Sequence, residues 1–272
     1  MPLGVADNLA RLVDQNFARS AELNGIVAYL TVVVFAYQIY CDFSGYTDIA
    51  RGCAKMMGFD ILPNFRRPYA ATDPQDFWRR WHISLSSWLR DYLYIPLGGS
   101  RGSEWQTRRN LFLTMVLGGL WHGAAWTFVM WGVYHGLLLI AYRGADRRPW
   151  FHRFVHGPSP LARVASWALM FHITCYGWLI FRARSAGQIG ALTTSLATHF
   201  AQSSLDVPGL LAPLLLYVTP LLVVHAAEAA YDDVLVVPRL PAGVRYSIYA
   251  ATFYLTMLFG NFGGAEFIYF QF

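Results

Sequence analysis

Apolar residues gather into five long runs, roughly 25–41, 111–142, 163–181, 210–227 and 244–262, and most of the charge lies between them. A helix needs about 20 mostly apolar residues to cross a bilayer, so each run predicts a membrane span. The run at 111–142 has no acid or base beyond His122 and His135. It is too long for one straight helix unless strongly tilted, the alternative being two segments broken near Gly118–Gly119 or Gly123. A different pattern occupies the region between the first two runs. Thr72-Asp73-Pro74-Gln75-Asp76 reads as a helix start, with Asp73 as cap, Pro74 in the first turn and Asp76 at the positive end of the dipole. Phe77, Trp81, Leu85, Trp88 and Tyr92 then recur at helical spacing, which predicts one amphipathic helix lying in the interface or dipping into protein. It would set His82 on its flank beside Trp78, Leu85 and Leu89. Gly98–Gly102 has the chemistry of a helix connection and lacks the ending of a phosphate loop. The predicted fold is all-α: a polytopic membrane helix bundle with re-entrant or interfacial helices, forming a single membrane domain over 1–272.

Composition strengthens this picture. Hydrophobic residues make up 56% of the 272 and charged residues 14%, against about 25% charged in soluble domains. The net charge of +5 rests on arginine, since Lys55 is the sole lysine. Residues 51–110 carry ten Arg/Lys against five Asp/Glu, and 143–163 carry five Arg against Asp146 alone. Basic loops between apolar runs fit the cytoplasmic face of a membrane and its anionic lipids, and argue against nucleic acid as partner. A single span across 111–142 would put the two basic loops on opposite sides, whereas a hairpin or re-entrant segment, the preferred reading, would keep both on that side. Cys41, Cys53 and Cys175 are odd in number and widely spaced, which predicts free thiols. The N-terminal MPLGVADNLARLVDQNF is too polar for an export signal, so insertion is expected through internal spans.

His122 stands deep in an uncharged run among small residues, Gly118-Gly119-Leu120-Trp121-His122-Gly123-Ala124. An ionisable group at membrane depth is a functional candidate by default, although small residues also serve helix packing. His82 by spacing alone is as readily a hydrogen-bonded structural histidine. On a straight helix His122 and His135 would lie about 20 Å apart along the axis, too far to share a metal. No HExxH or Cys/His ligand cluster appears, and no bound metal or cofactor is expected. His225 and Glu228 can pair on one helix face, His172 is a weaker candidate within a span, and His152, His156 and His199 fall in expected loops. There is no GxSxG elbow, and few acids lie in the spans, which weakens an ion-coupled transporter.

Several ordered blocks nevertheless resemble one family. VADNLARLVDQNF at 5–17, YCDFSGYTDIARG at 40–52, NFRRPY at 64–69, DFWRRWHISLSSWLRDYLYIPLGG at 76–99, NLFLTMVLGGLWHGAAWTFVMWGVYHG at 110–136, WLIFRARS at 178–185 and FIYFQF at 267–272 are similar to the membrane-bound O-acyltransferases. The likeness is strongest to the bacterial branch of the alginate O-acetylation membrane subunit, with the D-alanyl-transfer protein of teichoic acids more distant. It implies an O-acyltransferase of the bacterial inner membrane, drawing on acetyl-CoA or another cytoplasmic thioester to O-acetylate an exported polysaccharide, directly or through a periplasmic acetyltransferase partner. His122 takes the place of the catalytic histidine and His82 that of a second signature position, where other branches carry Asn. The same likeness makes Trp81, Trp121 and His135 donor- or substrate-binding residues. Arg66, Arg67, Arg79 and Arg80 would meet coenzyme A phosphates, although anchoring to the membrane surface is their simpler role. Family members are longer, with further helices ahead of the ADN segment, so the chain looks like their C-terminal portion. A catalytically incomplete fragment or a scaffold subunit of a secretion complex is the competing expectation.

Overall fold

The computed structural model describes residues 2–200, 206–233 and 236–259, and among these it has twelve α-helices and no strand. They fall into two compact units, Met1–Asp60 with Gly190–Phe272, and Ile61–Ile189. The helices α2 (Gly25–Met56), α8 (Pro160–Arg182) and α10 (Asp206–Tyr231) are long and apolar enough to cross a membrane. The last run, expected at 244–262, forms α12 (Ala242–Phe259) as far as the described residues go, and the FIYFQF block lies outside them.

In the first unit α1 (Pro2–Ala18) packs along α2, with Leu9 and Val13 fully buried and Phe17 edge-on to Phe35 at 6.2 Å. A buried amide is satisfied across this seam, where Asn16 Nδ2 donates to Thr31 Oγ1 at 2.9 Å. Asn24 caps α2 by accepting from the Val27 amide. That helix runs 32 residues, well past the expected end at 41, and carries Asp42, Asp48, Arg51 and Lys55 with it. Intrahelical pairing such as Arg51 with Asp48 at 3.5 Å helps the polar last turns remain helical. His225 meets Tyr40 Oη at 2.9 Å, which gives it a structural partner on the neighbouring helix.

The second unit is built on a helical hairpin. The long apolar run breaks at Gly123, giving α5 (Glu104–His122) and α6 (Trp126–Asp146). Glycine lets the two backbones approach: a Cβ on Gly119 would lie 2.3 Å from the Phe128 carbonyl oxygen, and one on Gly132 would lie 2.5 Å from that of Met115. Ser103 and Gln106 form a capping box at the start of α5. At the open end Glu104 pairs with Arg143, at 3.4 Å, and with Arg147. The start of α5 and the end of α6 therefore share one end of the hairpin, together with the basic loops that flank them. Against α6 pack α3 (Pro74–Arg80), α7 (Pro149–His156) and α8, the last fixed by Tyr134 Oη donating to the Ile173 carbonyl at 2.8 Å.

The amphipathic helix expected at 73–92 is not continuous. It begins as foreseen, with Asp73 Oδ1 accepting from the Gln75 and Asp76 amides at 2.8 Å. It then stops at Trp81, and α4 (Ile83–Leu89) restarts after His82, whose φ of 43° and ψ of 55° are left-handed. The cause lies in the NFRRPY loop. Asn64 accepts from the Ile83 amide with its carbonyl and from the Ser84 amide and hydroxyl with its side chain, satisfying the first donors of α4. The Arg66 amide in turn donates to the Arg80 carbonyl at 3.0 Å. The stripe divides accordingly: Phe77 and Trp81 are buried, while Trp88 and Tyr92 are exposed.

Candidate active site

The break at His82 removes it from the flank of Trp78, Leu85 and Leu89 and turns it toward the hairpin loop. His82 is buried, with its ring 6.2 Å from the Trp121 indole, and Trp121 in turn is 5.1 Å from His122. The two candidate histidines, forty positions apart, therefore lie against one tryptophan. Burial is the larger cause, and the neighbouring His122 the smaller, that pushes the His82 pKa down to about 3. His82 is therefore neutral near pH 7 and carries a single N–H.

His122 ends α5, where the chain leaves the helix through Gly123 in an extended backbone that brings Phe128 against it. Its half-buried ring stands edge-on to Trp131 at 5.3 Å and Phe181 at 5.2 Å, with Phe128 at 6.3 Å. Trp121 beside it is 56% exposed, so the pair has an open side and an aromatic wall. Such a wall keeps an imidazole poorly solvated and available as a base.

His135 occupies a different place. It is 2% exposed, packed between Trp131 at 4.8 Å and Trp78 at 5.1 Å, and stacked with Phe77 at 6.2 Å. A Cβ on Gly177 would come within 2.9 Å of its Nε2, so α8 presses directly on the ring. The Trp131 indole touches both His122 and His135. Trp78 Nε1, Trp131 Nε1, Trp178 Nε1 and His135 Nδ1 are buried without a hydrogen-bond partner among the described residues.

Trp81 is 2% exposed and sits against Phe65 at 4.9 Å and Trp178 at 4.6 Å, so it belongs to the packing that holds α3 to α8. Arg80 is held by Asp76 at 2.8 Å and by the Arg66 carbonyl at 3.4 Å, while Arg79 is exposed. His172, the weaker candidate, is exposed and bonded to the Ala168 carbonyl of its own helix. Trp131, Phe181 and Asn64 were not anticipated. For Trp131 the signal was present, since it precedes His135 by one helical turn; for Asn64 and Phe181 no local pattern points to the site.

The sequence profile described as the membrane-bound O-acyltransferase family matches residues 4–181. The chain belongs to that family. It is 48% identical over 181 residues to "Probable alginate O-acetylase AlgI" of Pseudomonas aeruginosa, covering 66% of this chain and 33% of the relative. The peptidoglycan O-acetyltransferase of Helicobacter pylori is 41% identical over the same length, again 66% and 33%. The teichoic acid D-alanyltransferase of Bacillus subtilis is 31% identical over 166 residues, 56% of this chain and 40% of the relative. The chain thus spans about a third of the length of these curated relatives.

Proposed function

We propose that this chain carries the acyl-transfer centre of a multi-pass O-acyltransferase in a bacterial cytoplasmic membrane. It passes an acetyl group from a cytoplasmic thioester, acetyl-CoA, to a hydroxyl group serving an exported polysaccharide, directly or through a periplasmic acetyltransferase partner. The observation that carries this reading is the meeting of His82 and His122 at Trp121, beside the break between α5 and α6. The acylated acceptors in the relatives' names, alginate, peptidoglycan and teichoic acid, support a cell-envelope glycan as the final acceptor class.

In this mechanism His122 takes the proton of the acceptor hydroxyl as its oxygen adds to the thioester carbonyl. The carbonyl oxygen becomes an oxyanion, and the His82 N–H, with the Trp131 indole N–H behind it, stabilises that charge. The C–S bond then breaks, the coenzyme A thiolate leaves, and the imidazolium of His122 returns the proton to sulfur. Arg79, exposed at the end of α3, serves the donor phosphates, whereas Arg80 is committed to Asp76. His135 acts through Trp131, as a positioning residue behind the wall.

The test is transfer of labelled acetyl from acetyl-CoA in membranes containing this protein, with and without His122→Ala. Loss of a general base should lower the rate by roughly 10²–10⁴-fold while the protein still inserts and accumulates. Undiminished transfer by His122→Ala would remove the assignment, and the scaffold reading would take its place.

A further inference from the structure

A second cluster of metal-ligating side chains lies at the other end of α6. Asp146 closes that helix, and α7 follows after a turn at Arg147–Arg148, presenting His152 and His156 one helical turn apart. Both were expected in a loop; Pro149 at the first helical position makes the segment a helix and puts the two rings on one face. His152 Nδ1 is 3.1 Å and His156 Nε2 is 3.4 Å from the same carboxylate oxygen, Asp146 Oδ1. The three ligand atoms all lie within 4.8 Å of one another.

From these residues we propose a binding site for a first-row divalent cation of the zinc type, held by Asp146, His152 and His156. Ligands at about 2.0–2.2 Å from a tetrahedral zinc are some 3.3–3.5 Å apart, so the two carboxylate–imidazole separations already match and the imidazole pair needs at most a small rotation. Two nitrogens and one carboxylate oxygen with an open fourth position are a common zinc donor set. Arg147, Arg148 and Arg153 adjoin the three ligands along the chain, a basic setting that does not favour hard cations bound by charge alone, such as Mg²⁺. Arg147 is partly neutralised by Glu104. Tyr142 Oη, 3.0 Å from His156 Nε2, competes with the metal for that nitrogen.

The 21 residues of α6 place this cluster about 30 Å from the His122 end of the helix, so its cation takes no part in the acyl-transfer chemistry. It staples α7 to the end of α6, beside the Glu104 ion pairs that close the hairpin. The experiment is titration of tag-free purified protein in detergent with Zn²⁺ against a chromophoric chelator, and with Co²⁺ followed by its visible absorption. One equivalent should bind, with the intense visible bands of tetrahedral Co²⁺, and excess Mg²⁺ should not displace it. His152→Ala and His156→Ala should each weaken binding by about 100-fold, while Tyr142→Phe should bind as well as the parent or better. His152 and His156 are partly exposed, so without metal the variants should melt where the metal-free parent does, and Zn²⁺ should raise the melting temperature of the parent alone, separating lost ligation from lost folding. Absence of a bound equivalent, or binding indifferent to both histidine substitutions, would overturn the proposal.

Discussion

His82 shows how a single residue's backbone sets its chemistry. Its left-handed conformation is one that Asn and His tolerate better than most side chains, and it is imposed by Asn64 capping the next helix. The same turn buries the ring and depresses its pKa to about 3. In the unfolded chain the group titrates near 6.5, so between these values the unfolded state binds more protons and stability falls as pH is lowered. At pH 5 the loss attributable to His82 is about 2 kcal/mol, and it is absent at pH 7. His82→Asn keeps the backbone preference and removes the titration. Thermal unfolding in detergent should therefore show the parent losing more stability than His82→Asn between pH 7 and pH 5. Equal losses would mean that the ring is solvated in the folded protein.

At the scale of elements, the α5–α6 hairpin depends on backbone contact at glycine. Gly132→Ala places a methyl group against the Met115 carbonyl and the Val116 Cα, neither of which is the movable end of a side chain. The helices must separate, at a cost of about 1–3 kcal/mol. Gly144, on the same helix, has nothing within 4 Å of a Cβ, and Gly144→Ala should gain up to about 1 kcal/mol from helix propensity. Opposite shifts in the unfolding midpoints of these two variants are the expected result. Separation at Gly132 would also displace Trp131 from His122, so acyl transfer should fall with Gly132→Ala and persist with Gly144→Ala.

For the molecule as a whole, the matched stretch is about a third of the relatives' length. A chimera in which residues 4–181 replace the corresponding third of the Pseudomonas aeruginosa relative tests whether the site is portable. The 48% identity predicts acetylation of alginate by the chimera and its loss with His122→Ala in the grafted segment. A folded but inactive chimera would show that this chain's centre is adjusted to other surroundings.

Much of this was legible along the chain, and some was not, for a physical reason. Hydropathy determined the apolar runs, the glycines narrowed the break between α5 and α6 to Gly118–Gly119 or Gly123, of which the fold uses Gly123, and the Asp73-Pro74 pair marked the start of α3, because each is a local property of length, backbone freedom or capping. The histidine-bearing blocks single out His122 and His82 as candidates along the chain. Periodicity misjudged 73–92, since the partner that starts the second helix, Asn64, lies twenty positions upstream and leaves no trace in the spacing. Only the folded chain decided that His82 and His122 share Trp121, that Trp131 stands beside both His122 and His135, and that Asp146 meets His152 and His156. Contacts between elements depend on how helices cross and where glycines let them close. Those distances are set by packing in three dimensions and not by separation along the sequence.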